Sequence, residues 1–355
     1  RSVSRGLGDV YKRQLYTIQS LLGECSYLSE SDCLYWSTYC SWNSEQNVCE
    51  EIGGGGGGSS ELGPYEVATY EQNDGMQSGS LYANATIYHP IGYNDLLGSI
   101  ILGAGFGGNQ ESMENWAYYF SSYGFVSATI QYNDPVNDSH GFRAEAILEL
   151  ISSIKMEQDR PNSPLYNALD TNEFAAVGYS LSGGSVQLAA VLNSSLSAVI
   201  ALNPTIIVED CELCAGSEYC ICLVPEFLDH TVPTLIIAGQ NEVNELPDYD
   251  GLLGQDQYYN TPETTTKLLY EIGGGGHSSI EWPGASEGIP GRLALNWLNY
   301  FIQNKEEYCD SVLIVPENAS QFLTTLDCEE GPPPPPLPQN MGYLRQTETS
   351  FCMDD

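Results

Sequence analysis

The chain has 355 residues, 42% of them hydrophobic, which suffices for one large domain with its own core and a small additional module. Its 47 acidic and 11 basic residues give a net charge of −36, and a surface this negative repels phosphate backbones, which argues against nucleic acid as a partner. The charge favours adaptation to a salty medium over recognition of a cationic partner. No apolar run reaches the roughly 18 residues of a membrane-spanning helix, so we expect no membrane span.

The two ends of the chain differ in composition from its middle. Residues 1–14, RSVSRGLGDVYKRQ, are unusually basic and are interpreted as translated adaptor sequence, outside the fold. Residues 15–52 hold four cysteines and are too short for a core without covalent links, which predicts a small Cys-rich, disulfide-linked module. Residues 53–62 include GGGGGGSS and are typical of a flexible linker. Residues 331–355 begin with GPPPPPLP and are interpreted as a Pro-rich tail rather than a ligand for a Pro-binding domain.

The cysteine content indicates an oxidising compartment. The eleven cysteines fall into three groups: Cys25, Cys33, Cys40 and Cys49; Cys211, Cys214, Cys220 and Cys222; and Cys309, Cys328 and Cys352. Such a density is typical of secreted proteins. Four Asn-x-Ser/Thr triplets agree with secretion: Asn84, Asn137, Asn193 and Asn318. We therefore expect a secreted, extracellular protein, and we expect it to be a monomer.

Residues 63–330 alternate between strand-like and helix-like stretches. Two stretches alternate apolar and polar residues as half-exposed antiparallel strands do, at 65–70 and 81–90. Near-continuous apolar runs typical of buried parallel strands lie at 99–105, 125–133, 174–180, 198–204 and 234–240. Helical spacing of apolar residues occurs at 111–122, 140–158, 182–192 and 289–303. This alternation predicts a doubly wound α/β sheet whose ligand site lies at the carboxyl ends of the strands.

A serine follows one of these strands in the segment GYSLSGG, residues 178–184. A serine on a sharp strand-to-helix turn, flanked by small residues, is typical of a nucleophile elbow, which projects the hydroxyl above the sheet. Ser180 is therefore the candidate nucleophile, and Ser182, further into the helix, is a weaker alternative. An ordinary turn in which serine caps the helix is the non-catalytic interpretation.

A serine hydroxyl needs a base, because it is a weak nucleophile when neutral. The sequence offers four histidines: His89, His140, His230 and His277. Only His277 follows a predicted strand, KLLYEI, after the serine, which makes it the candidate base. The acid should come between them in the chain, so Glu242, just after the strand at 234–240, is the candidate, with Asp248 and Asp250 in reserve. Glu242 would hold the imidazole tautomer.

Two backbone N–H groups should bind the oxyanion that forms during acyl transfer. One is expected from Leu181, directly after the candidate nucleophile, and the other from the glycine-rich turn 103–108, where Phe106 is the candidate donor. A phosphate-binding loop is the alternative for this turn, but no G-x-G-x-x-G or GKS/T pattern follows it.

The segment 63–330 resembles the cutinase-type polyester hydrolases, which include polyethylene terephthalate hydrolases. Five motifs carry the resemblance: GPYEV (63–67), GFV (124–126), SPLY…LDT (163–171), VPTLIIAGQNE (232–242) and EIGGGGHSS (271–279). The resemblance implies one α/β-hydrolase domain in which Ser180, Glu242 and His277 form the catalytic triad. It also implies a disulfide between Cys309 and Cys328.

Several positions depart from the family pattern. Ser182 replaces the usual glycine, which predicts slight crowding of the elbow, and Glu242 is one methylene longer than the usual aspartate. Tyr179 stands where the family often has Trp or His, and Thr205 stands where it commonly has a Trp wall. Both positions are candidate substrate-binding residues. Because an aromatic wall suits an aromatic diacid unit, Thr205 argues against terephthalate polyesters as the preferred substrate.

A cysteine-rich segment, CELCAGSEYCIC at 211–222, follows soon after Thr205. Its C-x2-C…C-x-C spacing is compatible with zinc. An oxidising compartment favours two short-loop disulfides instead, so we expect no metal. We expect this segment to form part of the rim of the substrate cleft.

These observations predict a secreted serine esterase that needs no cofactor and hydrolyses hydrophobic or polymeric carboxylic esters, such as cutin-like or terephthalate-type polyesters. Its expected partner is the ester or polyester substrate alone. The alternatives are a lipase-like or chlorophyllase-like esterase acting on small lipid esters, a non-catalytic surface-binding protein with the cysteine module as its adhesive part, and a peptidase.

Overall fold

The computed structural model describes residues 40–43, 48–51, 62–209, 221–223, 225–245 and 252–329. The chain divides into two units, Arg1–Ser59 and Ser60–Asp355. In the first unit, strand β1 (Cys40–Asn43) pairs antiparallel with strand β2 (Val48–Glu51). The rest of the Cys-rich module, almost all of the linker and the Pro-rich tail lie outside the described residues, so the predicted domain boundaries stay predictions.

The second unit contains eleven described strands. They are β3 (Val67–Glu71), β4 (Tyr82–Pro90), β5 (Leu97–Gly103), β6 (Val126–Tyr132), β7 (Leu169–Tyr179), β8 (Ala198–Leu202), β9 (Ile207–Glu209), β10 (Ile221–Leu223), β11 (Thr234–Gly239), β12 (Lys267–Ile272) and β13 (Ala319–Thr324). Nine of them form one sheet in the order β13-β12-β11-β8-β7-β5-β6-β4-β3, and β9 pairs with β10 separately. The six strands from β12 to β6 are parallel, β13 and β4 pair antiparallel with the two outer strands of this set, and β3 pairs antiparallel with β4.

Helices cover both faces of this sheet. They are α1 (Glu114–Ser122), α2 (His140–Glu157), α3 (Leu181–Leu192), α4 (Gly254–Asn260), α5 (Ile289–Phe301) and α6 (Cys309–Val312). Successive strand residues alternate between the two sides: Ile100 of β5 packs in the core that includes Trp116 and Trp297, and Ile101 in the core that includes Ile147 and Val186. Since both faces are covered, the central strands contain the near-continuous apolar runs that the sequence predicted, as in residues 174–179 of β7.

The four predicted helices and the predicted strands are confirmed, with ends displaced by a few residues. The short elements β9, β10 and α6 were not predicted, and neither were α4 and β13. Helix α4 has the sequence GQDQYYN, which shows no helical spacing of apolar residues, and β13 is a half-exposed antiparallel edge strand. None of the helices in the described ranges is long and apolar enough to cross a membrane.

A disulfide joins Cys309, the first residue of α6, to Cys328, just beyond β13. The two residues are 19 positions apart in the chain, and closing a loop of that size in the unfolded chain stabilises the fold by about 3 kcal/mol. The pairing that the family resemblance implied is therefore present, and it ties α6 to the edge of the sheet.

Candidate active site

Ser180 forms the turn between strand β7 and helix α3. Its backbone has φ 55° and ψ −119°, a conformation that costs energy for any residue with a side chain. Hydrogen bonds hold the turn: Ser180 N donates to Leu202 O at 2.9 Å, and Ser180 O accepts from Gly183 N at 2.8 Å and Thr205 N at 3.0 Å. A strained serine at the carboxyl edge of a parallel sheet is the local geometry of a nucleophile elbow.

Position 178 must be glycine for this turn to form. A Cβ there would overlap the carbonyl of Ser182, because the first turn of α3 comes very close to the end of β7. Ser182 itself is fully buried, and it fits because Gly103 lies opposite, where an added Cβ would come within 2.9 Å of the Ser182 side chain. The buried Ser182 hydroxyl hydrogen-bonds to Ala104 O at 2.5 Å.

His277 and Glu242 converge on Ser180. His277 begins a short 3-10 turn after β12, and Glu242 begins another after β11. His277 Nε2 lies 2.9 Å from Ser180 Oγ, and His277 Nδ1 lies 2.7 Å from Glu242 Oε1. The Glu242 side chain is 1% exposed and that of His277 is 29% exposed, so the carboxylate is buried behind the imidazole. With Nδ1–H donating to the carboxylate, Nε2 can accept the serine proton.

The other candidate residues for acid and base lie elsewhere. Burial lowers the pKa of both His140 and His230 to about 4, and burial also lowers the pKa of His89. None of these three histidines hydrogen-bonds to Ser180 in the described structure. Asp248 and Asp250, the reserve candidates for the acid, lie outside the described residues.

The backbone that carries His277 is held by two neighbouring side chains. Tyr179 Oη donates to His277 O at 2.8 Å, and the Tyr179 ring packs against the imidazole with 5.2 Å between centroids. Asn203, which is fully buried after β8, donates from Nδ2 to the same carbonyl and accepts from Gly239 N at 2.8 Å. The role of Tyr179 as a substrate contact stays a prediction, and its bond to the His277 backbone was not predicted. Asn203 was not predicted; its one signal is an Asn-Pro pair directly after a buried strand.

The loop after β5, residues 104–108 and hereafter the β5 loop, runs beside Ser180. An added Cβ on Gly105 would lie 3.0 Å from Ser180 Cβ, so the backbone of this loop is in contact with the elbow. Phe106 is 38% exposed, and the next amide, Gly107 N, donates to Pro135 O at 2.7 Å. Leu181 is the first residue of α3, and the N–H groups of the first turn of a helix have no carbonyl partner within that helix. The two candidate oxyanion donors therefore flank Ser180.

Thr205, the other predicted substrate contact, supports the elbow through its backbone. Its N–H donates to Ser180 O, and its carbonyl lies 2.7 Å from His140 Nε2. Because His140 is neutral at neutral pH, that nitrogen carries the proton and donates. The Thr205 side chain is half-buried.

The cysteine-rich segment 211–222 lies almost wholly outside the described residues; only the backbone of Ile221 and Cys222, in β10, is described. Its disulfides, or a zinc site in their place, stay predictions. Within the described ranges, no group of three or more His, Cys, Asp or Glu side chains could hold a metal ion.

Comparisons with known proteins agree on one family. A family model described as PET hydrolase-like matches residues 59–329. Cutinase 1 of Thermobifida cellulosilytica is 26% identical over 247 residues, which cover 69% of this chain and 83% of that protein. A cutinase of Thermobifida fusca is also 26% identical, over 69% of this chain and 72% of its own length. Bis(hydroxyethyl) terephthalate hydrolase of Streptomyces coelicolor is 25% identical, over 69% of this chain and 70% of its length.

Proposed function

Because the chain belongs to the PET hydrolase-like family, we propose that it is a serine esterase that hydrolyses hydrophobic or polymeric carboxylic esters through an acyl-enzyme. The relatives are named cutinases and a bis(hydroxyethyl) terephthalate hydrolase, which are carboxylic-ester hydrolases. One observation carries the proposal: the continuous hydrogen-bonded series Ser180 Oγ, His277 Nε2, His277 Nδ1 and Glu242 Oε1, with contacts of 2.9 and 2.7 Å.

In the proposed reaction, Ser180 Oγ attacks the ester carbonyl carbon while His277 Nε2 takes its proton. The tetrahedral oxyanion accepts hydrogen bonds from the Phe106 and Leu181 amides. The C–O bond to the leaving alcohol then breaks as His277 returns the proton to the alcohol oxygen. Water, activated by the same imidazole, attacks the acyl-enzyme, and Ser180 leaves with the proton. No step needs a cofactor.

Glu242 would stabilise the imidazolium that forms in each half of this cycle. Its buried carboxylate is a full negative charge beside the imidazole, where the low local dielectric strengthens the attraction. Glu242 reaches the imidazole from the start of the short turn that follows β11 although its side chain is one methylene longer than that of aspartate. The contact of 2.7 Å between Glu242 Oε1 and His277 Nδ1 is an ordinary hydrogen-bond distance.

The surroundings of Ser180 favour an extended aliphatic ester over a terephthalate unit. Thr205 offers a half-buried small side chain and no aromatic wall, while Tyr179 already uses its hydroxyl to hold His277. Phe106 leaves an apolar ring partly exposed beside the elbow, where an acyl chain can contact it. We propose cutin-like polyester as the substrate class, with terephthalate polyester and small lipid esters as the alternatives to be compared.

We further propose that the enzyme is secreted. We also propose that it is a monomer and that it does not bind nucleic acid. The support is the cysteine content together with the Cys309–Cys328 disulfide, which forms and persists in an oxidising compartment.

A labelling experiment tests the proposal directly. A fluorophosphonate probe should label the wild-type protein and its matched control Ser152→Ala, whose serine lies near the middle of α2 with its hydroxyl on Leu148 O. Ser180→Ala should abolish the labelling. Hydrolysis of p-nitrophenyl esters of increasing chain length, of cutin and of terephthalate film then ranks the substrates. Labelling that persists in Ser180→Ala, or an unlabelled and inactive wild-type protein, would refute the proposed function; the second result would favour a surface-binding protein.

A further inference from the structure

We infer that Arg143 is a positioning residue for ester hydrolysis: its buried guanidinium fixes the peptide unit that presents the Phe106 N–H to the oxyanion. This inference rests on the proposed function. Arg143 lies in the first turn of α2, touches no part of the Ser180–His277–Glu242 series, and is fully buried. Nothing in its sequence neighbourhood marks it as more than a surface cation.

Arg143 connects three separate parts of the chain beside the elbow. Its hydrogen-bond acceptors are Ala104 O (2.9 Å), Gly105 O (3.3 Å) and Ser182 Oγ (3.2 Å) from Nη1, Pro135 O (2.6 Å) from Nη2, and Asp138 O (3.1 Å) from Nε. The guanidinium also lies 4.3 Å from the centre of the Tyr132 ring. All five acceptors are neutral oxygens, so the charge is buried without a carboxylate in contact, which is a costly arrangement.

The contact with Gly105 O bears directly on the candidate oxyanion donor. The carbonyl of Gly105 and the N–H of Phe106 belong to one planar trans peptide unit, so they point in opposite directions. Fixing the carbonyl toward Arg143 therefore directs the N–H to the opposite side. A cation on the carbonyl oxygen also polarises the peptide unit, which makes its N–H a stronger hydrogen-bond donor.

Ser182 links this arrangement to the helix that follows the nucleophile. Its hydroxyl has one proton, which it donates to Ala104 O at 2.5 Å. Its two lone pairs then accept from Arg143 Nη1 and from Tyr132 Oη, which lies 2.8 Å away. Burial raises the pKa of the Tyr132 hydroxyl, so it keeps its proton and donates. The serine that departs from the family pattern therefore joins the β5 loop to α3.

A purely structural arginine would affect stability without a specific effect on the chemical step, and kinetics separate the two roles. We expect Arg143→Met to lower kcat about 10- to 100-fold, since loss of one oxyanion donor costs about 100- to 1,000-fold and a displaced donor costs less. KM should stay within about threefold and the pH profile unchanged, because the interaction operates in the transition state and His277 is untouched. Ser182→Ala should lower kcat by a smaller factor, about three- to tenfold.

Two further variants make the experiment decisive. Arg143→Lys keeps the charge but not the planar fork, so it should recover part of the lost kcat. Lys267→Met removes another fully buried cation, whose Nζ binds Tyr258 O and Thr261 O away from the site, and should lower the melting temperature but not kcat. A near-wild-type kcat in Arg143→Met, with only the melting temperature lowered, would overturn the inference. If Arg143→Met does not fold, a near-wild-type kcat in both Arg143→Lys and Ser182→Ala would overturn it instead. Ester turnover by the wild-type enzyme is measured alongside, so that failure of the proposed function is recognised separately.

Discussion

Two loops at the carboxyl edge of the sheet are held in place by opposite means. The β5 loop rests on a buried cation, Arg143, whereas the loop that carries His277 rests on neutral donors from Asn203 and Tyr179. The difference follows from the charge that each loop would face during ester hydrolysis. A cation behind the Phe106 amide favours a developing oxyanion, but a cation behind His277 would oppose formation of the imidazolium. The positive charge of Arg143 thus lies behind the candidate oxyanion donor and not behind the candidate base, His277.

The largest effect should come from removing the negative charge of Glu242 behind the base. Glu242→Gln should lower kcat about 1,000- to 10,000-fold, because an amide can hold the wrong imidazole tautomer and cannot stabilise the imidazolium. Steady-state hydrolysis of a p-nitrophenyl ester checks this, with the exposed Glu226→Gln as the control. A loss below tenfold would contradict the role of Glu242 and direct attention to Asp248 or Asp250.

The second effect is a pH dependence of stability that arises from His140, which lies near Arg143. Burial, with a smaller contribution from the nearby Arg143 charge, lowers the pKa of His140 to about 4, so as the pH falls the unfolded state binds a proton before the folded state does. The free energy of unfolding should therefore fall as the pH decreases from about 6.5 towards 4. By pH 4.5, His140 should account for a loss of about 2–3 kcal/mol. Urea unfolding at pH 7 and pH 4.5 should show a smaller difference for His140→Gln than for wild type. Parallel losses in the two proteins would contradict this source of acid sensitivity.

The smallest effect on kcat should come from removing Asn203, whose uncharged side chain holds the backbone of His277. Asn203→Ala leaves the buried Gly239 N–H and the His277 carbonyl short of a partner, which should cost about 1–2 kcal/mol of unfolding free energy. Because no charge is removed, kcat should fall no more than about tenfold. Thermal unfolding and ester kinetics, with the exposed Asn260→Ala as the matched control, test both values. A kcat loss as large as that of Glu242→Gln would contradict the prediction that the neutral hydrogen bonds of Asn203 matter less for catalysis than the charge of Glu242.

The sequence allowed the sheet and the three convergent side chains to be predicted, because apolar runs mark buried parallel strands and the ends of such strands meet at one edge. It did not reveal Arg143, since an arginine in a helical stretch is ordinarily a surface residue. Its burial depends on the meeting of the β5 loop, the segment that contains Pro135, and α3. Asn203 was not predicted for the same reason, because its partners, Gly239 and His277, are distant from it in the chain. Contacts assembled by tertiary packing leave no periodic signal.

The fit of Gly103 against Ser182 has a consequence for how this enzyme can change by mutation. A side chain at 103 is excluded while Ser182 and Tyr132 are present, and a glycine at 182 would leave a void and remove the hydroxyl that Arg143 and Tyr132 contact. The two positions are therefore epistatic: the effect of a substitution at one depends on the residue at the other. A library that varies position 103 alone should therefore yield few folded variants, whereas varying positions 103, 132 and 182 together allows compensating changes.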